Sequence, residues 1–168
     1  MTVRYLEDFP VGAEAEFGSV VVDEGEVRAF AERYDPQPFH TDPEAATRSP
    51  YGGLIASGWH TGSMMMRLVV DHFIDAETSL GSPGLGPIHW KLPVRPGDTL
   101  RVRARILENR RSTSKPDRGL ITFTCDVLNQ RDEIVMTVEH WVGIMRARPD
   151  GNATTSPSRG EQVGSQRG

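Results

Sequence analysis

The sequence predicts an α+β fold in which one curved antiparallel sheet wraps around a single long central helix. Two observations carry this. From Ser57 to about Phe73 the chain holds Trp59, Met64, Met65, Met66, Leu68, Val69, Val70 and Phe73, apolar around most of a helical circumference, as in a helix buried on most sides. Four strand-like segments follow: Pro87 to Val94, Asp98 to Leu107, Gly119 to Asn129 and Ile134 to Met145. Turn signals separate them at Arg95-Pro96-Gly97-Asp98, Lys115-Pro116-Asp117-Arg118-Gly119 and Asn129-Gln130-Arg131-Asp132.

The elements before the central helix read in order. Residues Ala13 to Val22 alternate and are rich in β-branched side chains, which predicts a strand. Asp23 with Glu26 resembles a capping box, and Val27, Phe30 and Ala31 supply apolar helical spacing up to Arg33. A loop from Asp35 to His40 comes next. Asp42-Pro43-Glu44 then reads as an N-cap, a proline at the first helical position and an acidic first turn. That short helix should end before the loop Ser49-Pro50-Tyr51-Gly52-Gly53. On the central helix, His60, Met64, Arg67 and Asp71 share a stripe expected to meet solvent or a partner, which makes His60 a rim residue. Residues 1–148 form one domain. The tail 149–168, rich in Gly, Ser, Thr, Asn and Gln without apolar periodicity, is expected to be disordered.

The chain has 168 residues, enough for a substantial core, and a net charge of −4 with dispersed basic residues, so nothing marks a nucleic-acid groove. Arg101, Arg103 and Arg105 alternate with Val102, Ala104 and Ile106. They form either a solvated strand face or a rim that attracts an anionic ligand. No basic segment followed by an apolar run marks a signal peptide, and no apolar stretch is long enough to span a bilayer. Cys125 is the only cysteine, which excludes an internal disulfide and fits a reducing, cytoplasmic setting. Its place in an apparent strand makes it a packing residue. The five histidines show no metal-ligand spacing, so neither a metal nor another cofactor is expected.

The chemistry-bearing segment is Tyr34-Asp35-Pro36-Gln37-Pro38-Phe39-His40-Thr41-Asp42-Pro43. Each proline fixes its own φ and pushes the residue before it toward extended geometry, so Asp35 and His40 are presented in a defined relation. Gly53-Leu54-Ile55-Ala56-Ser57-Gly58 then delivers a glycine to the start of the central helix. An acid/base pair beside free N–H groups at a helix start suits chemistry at a carbonyl. Spacing alone leaves the plain alternative open, since Asp-Pro also starts ordinary turns.

In this order, three segments resemble the MaoC-like dehydratase family, which includes the (R)-specific enoyl-CoA hydratases, of the hotdog-fold superfamily. They are Ala29-Phe30-Ala31 leading into Asp35 to Asp42, Gly53 to Gly58, and Trp90-Lys91-Leu92-Pro93-Val94-Arg95-Pro96-Gly97-Asp98-Thr99. The resemblance implies a hotdog fold and Asp35 and His40 as the catalytic pair, with the Gly58 N–H as oxyanion donor. It also implies reversible conversion of a trans-2-enoyl thioester to an (R)-3-hydroxyacyl thioester. Gln37-Pro38 stands where many members have Asn-Pro, and Ser57-Gly58 where many have His-Gly. Gln37 keeps an amide and Ser57 remains a fitting N-cap. Ser57, Trp59 and Tyr51 are the expected substrate-binding residues, and Met64, Met65 and Met66 either line an acyl tunnel or pack the core.

The implied partner is an acyl-CoA or acyl-carrier-protein thioester, with no nucleic acid and no membrane, in a homodimer or higher even oligomer that closes the open sheet edge. A hotdog acyl-CoA thioesterase and a non-catalytic acyl-thioester-binding subunit are the alternatives. Loss of Asp35 or His40 is expected to silence the enzyme without unfolding it. Gly58→Ala is expected to keep or raise stability while cutting activity, since alanine is the better helix former. The alternative is that Gly58 serves close helix-to-sheet packing, in which case the variant would lose stability and activity together.

Overall fold

Alternating burial along three long strands gives the sheet one apolar face, and that face is what the central helix covers. The computed structural model describes residues 3–149. After a single 3-10 turn at Leu6–Asp8, its elements are β1 (Glu14–Val21), α1 (Glu24–Tyr34), α2 (Pro38–Thr41), α3 (Pro43–Thr47), α4 (Gly58–His72), β2 (Gly84–Leu85), β3 (Ile88–Trp90), β4 (Thr99–Arg111), β5 (Arg118–Leu128) and β6 (Ile134–Arg146). The strand order is β1-β4-β5-β6-β2, with β3 also paired to β6, and every ladder is antiparallel. Leu85 pairs with Trp141 and Ile88 with Val138, so β2 and β3 lie in line as one interrupted edge strand. The expected tail lies outside the described residues, apart from Pro149. Among the described residues no helix is long and apolar enough to cross a membrane.

The strand expected over Pro87 to Val94 is cut to Ile88–Trp90. Past Trp90, the Lys91 and Leu92 N–H groups both donate to Val135 O, and Pro93 has no N–H to continue the ladder. Val94 O instead accepts from Ala56 N, which turns this segment toward the approach to α4. β2 was not expected, because two residues carry no periodicity. The other strands lie close to their predicted spans, although β4 runs on to Arg111.

Within the core, Phe17 stacks on Phe73 (centroids 5.1 Å apart), Phe73 meets Phe123 (5.3 Å) and Phe123 stacks on Trp141 (5.2 Å), which ties β1, the end of α4, β5 and β6 together. Fully burying an aromatic or aliphatic side chain contributes about 1.5–3 kcal/mol. Gly18 sits where β1 crosses α4, at φ +73° and with a register shift between Phe17 and Val20. A Cβ there would lie 2.8 Å from Leu68 Cδ2, so only glycine lets strand and helix approach this closely. Cys125 is fully buried on β5, and burial pushes its thiol pKa well up, which leaves it a packing residue.

Two expectations about α4 are corrected. The helix is not buried on most sides: Trp59, Met66 and Val70 are exposed in line with Arg67 and Asp71. And His60 is no rim residue, for it is 7% exposed, and Met64 is buried as well. Polarity was the misleading cue, because the open face carries apolar side chains and the buried face carries an imidazole. The arginine row resolves as a solvated, paired face. Arg101 meets Glu16 and Asp132, Arg103 meets Asp126 at 3.6 Å, and Arg105 meets Glu14 at 3.7 Å. Exposed pairs of this kind are worth little stability.

Candidate active site

Three short segments meet at the N-terminal end of α4. Asp23 caps α1 by accepting from Glu26 N (2.9 Å), and α1 ends at Tyr34 with Asp35 as its C-cap, whose N–H donates to Ala31 O. The stretch from Asp35 to His40, expected as a loop, runs from Pro38 into the helical turn α2. Pro38 occupies its first position, where no N–H is needed, and His40 N donates to Gln37 O. Asp42 then caps α3 as expected, accepting from Glu44 N and Ala45 N. The buried segment Leu54-Ile55-Ala56 threads between these turns and Val94: Ile55 N donates to Phe39 O, and Ala56 N to Val94 O. Ser57 follows as the N-cap of α4, accepting from Trp59 N (3.3 Å).

This scaffold places His40 Nε2 3.4 Å from Asp35 Oδ2. His40 is 5% exposed, and its Nδ1 lies 2.8 Å from Ile55 O. A carbonyl only accepts, so Nδ1 carries the proton, and in the neutral ring Nε2 is left as an acceptor facing the carboxylate. Asp35 is gripped on both oxygens: Ser57 Oγ donates to Oδ2 (2.7 Å) and Gln37 Nε2 to Oδ1 (2.7 Å). The Ser57 bond first, then the Gln37 bond, hold its pKa below the usual carboxylate range. Desolvation opposes them, and attraction to His40 adds to them.

Asp35, Gln37, His40, Tyr51, Gly58 and Trp59 all line one open cavity of about 480 Å³, together with Phe39, Trp90, Lys91 and the run from Leu92 to Val94. Five expected site residues are thus brought together. The sixth, Ser57, was expected to touch substrate, but it is fully buried, is not among the lining residues, and binds Asp35 instead. Gly58 N lies in the first turn of α4 and donates to no acceptor among the described residues. Tyr51 packs its ring on Phe39 (5.2 Å) and gives its carbonyl to Arg95.

Gln37 and Trp90 are the site residues that sequence reasoning missed. The signal for Gln37 was an amide two residues past a carboxylate, within reach of it. Trp90 opens the segment that runs to Thr99, but nothing in its spacing tied it to Gly58. Its indole Nε1 donates to Gly58 O (2.9 Å), and a Cβ on Gly58 would sit 2.6 Å from the same nitrogen. The expectation that alanine is harmless to the fold at Gly58 is therefore corrected, because the indole occupies that space. Trp59 meets Trp90 edge-to-face at 5.4 Å. Beyond this pair, Met65 and Met66 line a second, apolar cavity of about 250 Å³, whereas Met64 packs in the core.

A curved antiparallel sheet over one long helix defines a hotdog fold, and here Asp35 and His40 meet beside that helix's N-terminal end. The chain matches the MaoC like domain over residues 8–122 and belongs to that family. A MaoC-like dehydratase from Rhodospirillum rubrum shares the fold with a TM-score of 0.78 and 41% identity, covering 87% of this chain and 99% of the other. The 3-hydroxybutyryl-CoA dehydratase of Methylorubrum extorquens is 29% identical over 149 residues, 86% of each chain. R-hydratase PhaJ1 from Pseudomonas aeruginosa, at 22% identity and a TM-score of 0.66 over 86% of each chain, is similar in fold.

Proposed function

We propose that this protein catalyses the reversible addition of water across the α,β double bond of an acyl thioester, from a trans-2-enoyl to an (R)-3-hydroxyacyl group. The observation that carries this reading is the pairing of Asp35 Oδ2 and His40 Nε2, 3.4 Å apart, in a cavity that Gly58 also lines, its N–H being without an acceptor among the described residues. A water held by both acceptors loses a proton to the pair as its oxygen adds to the β-carbon. The displaced π electrons move onto the thioester oxygen, where the Gly58 N–H and the positive end of α4 stabilise them. Return of a proton from the pair to the α-carbon completes the addition. A preorganised donor of this kind is worth about 3 kcal/mol of barrier. The name of a curated relative, 3-hydroxybutyryl-CoA dehydratase, supports the same reading.

We further infer a homodimer. Trp59, Met66, Val70, Leu85 and Trp90 are all exposed. They lie along the open face of α4 and the short edge strands β2 and β3, and an apolar strip beside an open sheet edge suits a second copy. A hydration assay on crotonyl-, octenoyl- and branched enoyl-CoA, with chiral analysis of the product, tests the activity. Release of free CoA without a 3-hydroxyacyl product would replace hydration by thioester hydrolysis.

A further inference from the structure

Asp35 and Gly58, the base and the oxyanion donor of the reaction proposed above, come from different helices, and the side chain of Ser57 links the two ends. Its hydroxyl has one proton. The oxygen accepts from Trp59 N at 3.3 Å, so the proton is free to point away from the helix, and the acceptor it meets is Asp35 Oδ2 at 2.7 Å. An ionised carboxylate can only accept, which fixes the direction of this bond. Ser57 is fully buried.

We propose that Ser57 is a positioning residue for this hydration: its hydroxyl locks the Asp35 carboxylate to the α4 N-terminus and so fixes the base relative to the oxyanion donor. Gln37 holds the other carboxylate oxygen at 2.7 Å, and with both oxygens donated to, Asp35 cannot rotate away from His40 Nε2. The residue does not touch the reacting atoms. It acts through Asp35, and it also keeps that carboxylate ionised, since hydrogen bonds to the charged form favour it.

The role rests on the hydratase reading, and the experiment separates the two. The carboxyl carbon of Asp35 is titrated by NMR in the wild type and in Ser57→Gly, and kcat and KM for crotonyl-CoA are measured on the same preparations. Glycine is close to serine as an N-cap and removes the hydroxymethyl group. The wild-type midpoint is expected below the ordinary value of about 3.9, and that of Ser57→Gly should rise toward it. Loss of one hydrogen bond to a charged group should lower kcat by about tenfold with KM within about twofold, and Ser57→Thr, which keeps the hydroxyl, should restore it. A wild type that hydrates while Ser57→Gly matches it in midpoint and kcat overturns the positioning role alone. A wild type that hydrates no enoyl thioester overturns the functional reading and this role with it. Should neither variant fold, a wild-type midpoint at or above the ordinary value still overturns the proposal.

Discussion

His40 and His60 are buried to almost the same degree, 5% and 7% exposed, so burial cannot separate the imidazole poised for chemistry from the one that is not. Their partners can. His40 gives one nitrogen to Ile55 O and turns the other toward Asp35 in an open cavity. His60 stacks on Phe30 (centroids 4.8 Å apart, planes 12° apart), and its Nδ1 is buried without a partner among the described residues. The first ring has a defined tautomer and a polar task. The second is used as an aromatic plate, and carries a polar atom it does not need. Burial alone therefore says little about function, and the assignment of hydrogen bonds says much.

Loss of the His40 pairing should have the largest effect. Asp35→Asn and His40→Asn should each lower hydration of the best substrate by about 10²–10⁴-fold, the usual worth of a positioned acid or base. Asparagine is chosen at His40 because its amide N–H can still reach Ile55 O. His40→Ala, by contrast, should also unfold more easily, by about 1–3 kcal/mol, since it leaves that carbonyl unpaired in a buried site. This revises the expectation that loss of His40 spares the fold. Kinetics and melts on the three variants decide the matter, and near wild-type turnover in His40→Asn would remove His40 from the reaction.

Next in size comes the turn that holds Gly58. Gly58→Ala forces the Trp90 indole away and breaks its bond to Gly58 O, for a cost of about 1–3 kcal/mol of overpacking. Trp90→Ala relieves the clash, and the two residues touch. The double variant should thus be markedly less destabilised than the two single losses summed. A strictly additive cycle in thermal melts would mean that the indole does not constrain Gly58.

What was legible in the sequence follows from how local each signal is. Proline-stiffened spacing, N-caps and turn residues are local, and they placed Asp35, His40, α3, the start of α4 and three of the long strands. The Trp90–Gly58 contact joins residues far apart in the chain, and the inward phase of His60 depends on what α1 packs against α4. Neither leaves a periodic trace. Ser57 shows the intermediate case: its capping role was visible, while its bond to Asp35 needed the meeting of α1 and α4.

The smallest effect should come from His60, and its sign separates it from His40. Burial pushes the His60 imidazole below its ordinary pKa, with the nearby Glu26 charge opposing. A base with a depressed folded pKa contributes its full stability above the unfolded value of about 6.5 and loses it as pH falls through the folded one. His60→Phe keeps the stacking plane against Phe30 and removes both the orphaned nitrogen and the titration. At pH 8 the variant should be within about 1 kcal/mol of wild type or more stable, since a buried unpaired polar atom is lost. Below about pH 6.5 the wild type should lose stability relative to the variant, whereas the lowered pKa of Asp35 acts only from about pH 3.9 downward. Hydration by His60→Phe should stay near the wild-type rate. Denaturant melts from pH 8 to pH 5 test the comparison, and a constant difference across that range would show that His60 is not held neutral by burial.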